Sequence, residues 1–107
     1  MDAIERDRRI YEFRGFVIPD YMMDGLRMYI DHGVEPGSFL TAVICNDLSD
    51  ACGRADETNL RNLPAFVAYL YNEAPSPCWG SRAKMDAWME RAALMRETAA
   101  TSKAVNR

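Results

Sequence analysis

The sequence predicts an all-α protein: a compact bundle of about four short helices, with an extended N-terminal arm before it and a loose C-terminal tail after it. Three observations predict this. From residue 19 onward the apolar residues recur at the 3.6-residue period of amphipathic helices. The periodic runs are separated by turn clusters such as Gly33 to Gly37 and Asn72 to Pro77. A chain of 107 residues, 49% apolar and 27% charged, is sized and composed like one small globular domain. The arm is read as residues 1–18, the helical domain as 19–98 and the tail as 99–107.

Residues 1–9 are a charged lead-in. Residues 10–18, IYEFRGFVI, are β-branched and aromatic around Gly15. They suit a short strand or an extended arm packed on the body. A lone strand cannot satisfy its own backbone, and no second strand candidate is visible, so its partner would come from elsewhere or from another subunit.

The first helix opens at Pro19 and Asp20, with Asp24 also placed where the helix dipole favours acids. Met22, Leu26, Tyr29 and Ile30 form its buried stripe. Asp20, Asp24, Arg27 and Asp31 fall on the opposite face. Gly33 offers a left-handed stop, and Pro36-Gly37 completes the turn. Ser38 is the expected N-cap of a second helix running to Gly53. Its stripe is Phe39, Leu40, Val43, Ile44, Leu48 and Ala51, and Ala42 and Cys45 make it apolar almost all round. Such a helix is either central in its bundle or packed against another chain.

Asp56 caps a third helix carrying Leu60, Leu63, Val67 and Leu70, with Phe66 and Tyr69 beside them. Pro64 removes an interior hydrogen bond and costs about 3 kcal/mol there. The favoured reading is one helix bent near Leu60; the alternative is a short turn followed by a helix capped by Asn62. Loop chemistry ends this segment by Pro75. Ser81 caps the last helix, with Met85, Trp88, Ala92 and Met95 inward and Arg82, Asp86, Glu90, Arg91 and Glu97 wet. Past Ala99 the apolar period is lost.

Charge is unevenly spread. Residues 19–76 hold nine acids and three arginines, whereas residues 77–107 hold three acids and six bases. An acidic middle is a poor surface for nucleic acid, which wants clustered Lys and Arg, and a good one for a basic protein. Nucleic acid is therefore not an expected partner, and neither is a membrane, because no apolar run approaches the roughly 20 residues that span a bilayer. Three cysteines and a densely charged start suit a reducing compartment and free thiols. With one histidine and no CxxC, no metal site or cofactor is expected. No phosphate loop, nucleophile elbow or HExxH is present, so a catalytic role is not expected either, and His32 has no second group to work with.

Three groups of residues stand out as binding candidates. Asp20, Asp24 and Asp31 make an acidic helical face. The stretch Asn46-Asp47 through Arg54, Asp56 and Asn59 reads either as a recognition site, with Arg54 on an anion and Asp47, Asp56 or Asn59 orienting it, or as a cap and salt-bridge network holding a turn. Trp79, on the proline-stiffened loop 72–81, is a rigid aromatic for an interface or a lid on the core; with Tyr69 it could stack on a base, Arg54 or Arg61 taking the phosphate. Four short helices bury a modest area, and small domains often gain stability by associating, so a homo-oligomer is expected.

The stretch IPDYMMDGLRMYIDHGVEPGSFLTAVICNDLSDACGRADETN, with FVAYLYNEAPSPCWGS after it, resembles a group of small accessory proteins of bacteriophages and prophages. The resemblance covers roughly residues 18–90 and is most specific at YxxxGxxPGxFLxAV, NDL, RAD and YNEAP…WGS. It implies a protein made in the cytoplasm of an infected bacterium. Many such proteins antagonise host defence, by blocking a nuclease complex or sequestering a nucleotide signal. The resemblance carries over no catalytic residue. The expectation is therefore a non-enzymatic binding protein whose acidic face docks on a basic host partner, with a nucleotide-binding oligomer as the alternative.

Overall fold

The computed structural model describes residues 11–105, with side chains through residue 98. The charged lead-in and the last two residues lie outside the described residues. Two short strands open the chain, β1 (Tyr11–Phe13) and β2 (Phe16–Ile18). Six helices follow: α1 (Asp20–His32), α2 (Ser38–Ile44), α3 (Leu48–Arg54), α4 (Glu57–Arg61), α5 (Leu63–Asn72) and α6 (Arg82–Val105), with a 3-10 turn at Ser76–Cys78. The protein is mostly helical and not purely α.

The arm corrects the expectation of an unpaired strand. Arg14 and Gly15 both hold positive φ, 52° and 89°, as a two-residue hairpin turn of type I′ requires. The segment therefore pairs with itself, Tyr11 opposite Ile18, Glu12 opposite Val17 and Phe13 opposite Phe16. Alternation puts Tyr11, Phe13, Phe16 and Ile18 on one face of the hairpin and packs them on the core. The hairpin lies against α5. Tyr11 meets Tyr69 edge-on at 5.2 Å, and the Val17 N–H donates to Asn62 Oδ1 at 2.9 Å.

Helix α1 follows its expected course. Leu26 and Tyr29 are buried, joined by Met23 in place of Met22, which is half-buried like Ile30. It ends where expected: Gly33 is left-handed at φ 68° and returns its N–H to Tyr29 O at 2.8 Å. A side chain at Gly33 would also run into the Ala92 methyl, so the end of α1 is held close against α6.

The expected second helix is two. Helix α2 stops at Ile44, and Asn46 takes a left-handed φ of 63°, which asparagine tolerates better than most residues. Asp47 then caps α3, accepting from Asp50 N at 3.1 Å. Asn46-Asp47 is thus a stop followed by a start. Ser38 is not the cap of α2; it is the first helical residue, with Gly37 in the cap position. Phe39, Leu40, Ala42, Val43 and Ile44 are all buried in the one chain, and Phe39 meets Phe66 edge-on at 5.1 Å. Of the two readings for this wide apolar helix, the central position is the one observed. Leu48, expected in its stripe, instead opens α3 and is exposed.

Pro64 breaks the third helix rather than bending it. Asp56 caps α4 as expected, accepting from Asn59 N at 2.7 Å. Asn62 stands in the cap position of α5 and puts Pro64 in the first turn, where a missing N–H is not felt. The Asn62 side chain caps nothing; its Oδ1 serves Val17 and its Nδ2 donates to Thr58 O at 3.0 Å. With the break, the phase of the stripe changes. Ala65, Phe66, Ala68 and Leu70 are buried, while Leu60 and Val67 are exposed.

Ser81 caps α6 as expected, accepting from Lys84 N at 3.1 Å. The helix continues past Ala99, where the apolar period ends, to Val105. Met85 is buried and Trp88 half-buried, but Met95 is exposed, beyond the end of α1 that the earlier turns of α6 cover.

Candidate functional site

The acidic face of α1 is formed as its spacing requires. Asp20, Asp24 and Asp31 are all exposed, with Arg27 among them at 3.9 Å from Asp24. At 100° per residue the same exposed arc includes Tyr21 and Met28, which are 60% and 46% exposed. The arc is therefore acidic along its centre and apolar along one flank.

The polar stretch 46–59 is arranged as caps and local pairs. Asp47 and Asp56 each close a helix N-terminus, and Arg54 Nε donates to the Asp50 carboxylate at 3.0 Å. Asn59 is buried, with its Nδ2 set 3.7 Å from Met22 Sδ. Its Oδ1 has no hydrogen-bond partner among the described residues. Asp47 and Arg54 meet only through Asp50, and Asn46 belongs elsewhere.

Asn46 and Trp79 do come together. They line a cleft of about 300 Å³ with Tyr71, Ser76, Gly80 and Lys84. The loop is brought there by Gly80, whose N–H donates to Ile44 O at 2.8 Å at the end of α2. Lys84, missed in the sequence, supplies the cleft with its cation. Trp79 is half-buried and packs on the core, and Cys78 beside it is fully buried. Burial pushes the Cys78 thiol up to about 11. Tyr69 stands apart from this cleft, against Tyr11; burial raises its hydroxyl above the ordinary tyrosine value, against the opposing pull of Arg27.

Two further surfaces were not anticipated. Ile30, Trp88, Arg91, Ala92 and Met95 border a groove of about 330 Å³ at the meeting of α1 and α6. Two of its polar side chains join the helices: Trp88 Nε1 donates to Tyr29 O and Ile30 O at 3.3 and 3.2 Å, and Arg96 donates to His32 O. Arg91 lies 5.8 Å over the Trp88 ring. The second is a groove of about 630 Å³ between the hairpin, α3 and α5, lined by Phe13, Leu48, Leu63, Pro64, Val67, Ala68, Tyr71 and Asn72. Pro64, Val67, Ala68 and Tyr71 stand at i, i+3, i+4 and i+7, a second stripe on α5 that the spacing alone could have revealed.

Among the described residues no three His, Cys, Asp or Glu side chains converge as metal ligands, and no helix is long and apolar enough to cross a membrane. All three cysteines are free thiols. No protein-family model, curated protein or solved structure matches the chain.

Proposed function

We propose that this is a phage-type accessory protein that works by binding rather than catalysis, in the cytoplasm of a bacterial host. The exposed face of α1 docks on a basic surface of a host defence protein. The observation that carries this reading is the composition of that face: Asp20, Asp24 and Asp31 in line, with Tyr21 and Met28 standing open beside them. Carboxylates steer encounter with a basic surface and set its orientation, while a tyrosine and a methionine supply contact area once water is displaced. The resemblance to phage accessory proteins supports a host partner and a purpose in blocking defence.

The test is protection of phage in a host that expresses the chain. Reversing all three charges (Asp20→Lys, Asp24→Lys, Asp31→Lys) should abolish protection and the salt-sensitive capture of the partner, with helicity retained. Full activity of that variant refutes the reading.

The cleft holding Asn46, Trp79 and Lys84 favours a second reading, a small anionic ligand with an aromatic group. Lys84 would take the charge and Trp79 or Tyr71 the ring. A nucleotide thermal-shift series tests it. Stabilisation that disappears in Lys84→Ala supports this reading, and no shift with any nucleotide removes it.

A further inference from the structure

We propose that two copies of this chain pair about a twofold axis through the outer stripe of α5. One side of α5 is already satisfied, since Phe66 and Leu70 point into the core. The other side carries Pro64, Val67 and Tyr71 into an open groove with the buried Ala68 at its floor; Val67 is 44% and Tyr71 77% exposed, beside Leu48 at 67%.

Two features of this face point to a second copy as its occupant. The first is shape. A twofold contact places the same patch on both sides, so that patch must carry its own projection and its own hollow. Here Tyr71 projects and the groove of about 630 Å³ receives. Pro64 and Tyr71 lie about 10 Å apart along the helix at 1.5 Å per residue. When two α5 helices cross antiparallel with the axis between Val67 and Ala68, Tyr71 of each copy reaches the Pro64 end of the other.

The second feature is charge. Each copy carries a net charge of −3, and like-charged molecules repel. Among the described residues no charged side chain lines this groove, so here two copies meet without setting like charges together.

Mass measured by light scattering or sedimentation from micromolar to millimolar concentration should rise from one chain to two and stop there. Val67→Glu and Tyr71→Ala should each weaken the dimer at least roughly tenfold, with unchanged helicity, while Tyr21→Ala on α1, outside the groove lining, leaves it intact. In a Cys52→Ser background, oxidised Val67→Cys should link two chains across the axis and Tyr71→Cys should not. A protein that is monomeric throughout overturns the proposal. So does a dimer indifferent to both α5 variants, or a mass that keeps growing with concentration, which is the mark of head-to-tail contact.

Discussion

The junction of α1 with α6 and the outer side of α5 both gather apolar side chains, yet they are finished in opposite ways. At the junction directional contacts accompany the close packing. Trp88 reaches two carbonyls at the end of α1, Arg96 a third, and Gly33 lets Ala92 come against the chain. Nearby, the Tyr29 hydroxyl donates to Cys78 O at 2.7 Å and ties the 3-10 turn to the same helix. On the outer side of α5 the groove holds only apolar side chains and the Asn72 amide. Directional polar contacts fix one geometry inside a chain; the fully buried centre of a homodimer interface is more apolar than the rest of a protein surface. The difference suits the junction to stability and the outer side of α5 to the association proposed for it.

Gly33→Ala attacks the junction hardest. An alanine there keeps a left-handed φ at a cost of about 1–2 kcal/mol, and its methyl meets Ala92 in a packed site, adding about 1–3 kcal/mol. Denaturant unfolding should show a loss of about 3 kcal/mol. A loss under 1 kcal/mol would mean that the end of α1 can move off α6. Tyr29→Phe is gentler. It leaves the buried Cys78 carbonyl without its donor, which costs about 1–3 kcal/mol, read in the same experiment.

How much of this was open to sequence reading depends on whether the signal was local. Helix α1 was legible because its stop, Gly33, and its acidic face lie within a few residues of each other. The caps at Asp56 and Ser81 were legible for the same reason. The hairpin was hidden because the first residue of its turn is Arg14, which gives no hint of the positive φ it adopts. The break at Asn46 is hidden inside an apolar run that reads as continuous, which puts Leu48 in the wrong stripe. Leu60 and Val67 were misplaced because one helical phase was carried across Asn62. The cleft could not be read at all, since Asn46 and Lys84 become neighbours only through the Gly80 to Ile44 hydrogen bond.

Alkaline pH sharpens the contrast from another side. Tyr29 and Cys78 are both fully buried, and burial raises both above their ordinary values, the thiol from 9.0 to about 11. A group whose proton is held more tightly in the folded state stabilises fully below its unfolded pKa and loses that contribution as pH rises through the folded one. Stability should be level up to about pH 9 and then fall through pH 11. Cys78→Ala with Tyr29→Phe should be less stable at neutral pH but show a shallower alkaline decline. An equal decline in that double variant would place the titrating groups elsewhere.

The smallest effect is expected where the eye is first drawn. Leu48 is a leucine on the open rim of the α5 groove, and in a single chain it touches too little to matter. Leu48→Ser should change unfolding free energy by no more than about 0.5 kcal/mol when measured at high dilution. At high concentration the two proteins should separate, because mass action stabilises the folded pair only where the groove is closed by a second copy. A cost that is the same at both concentrations would show Leu48 acting inside its own chain, and the division between a fixed junction and a free surface would no longer stand on this residue.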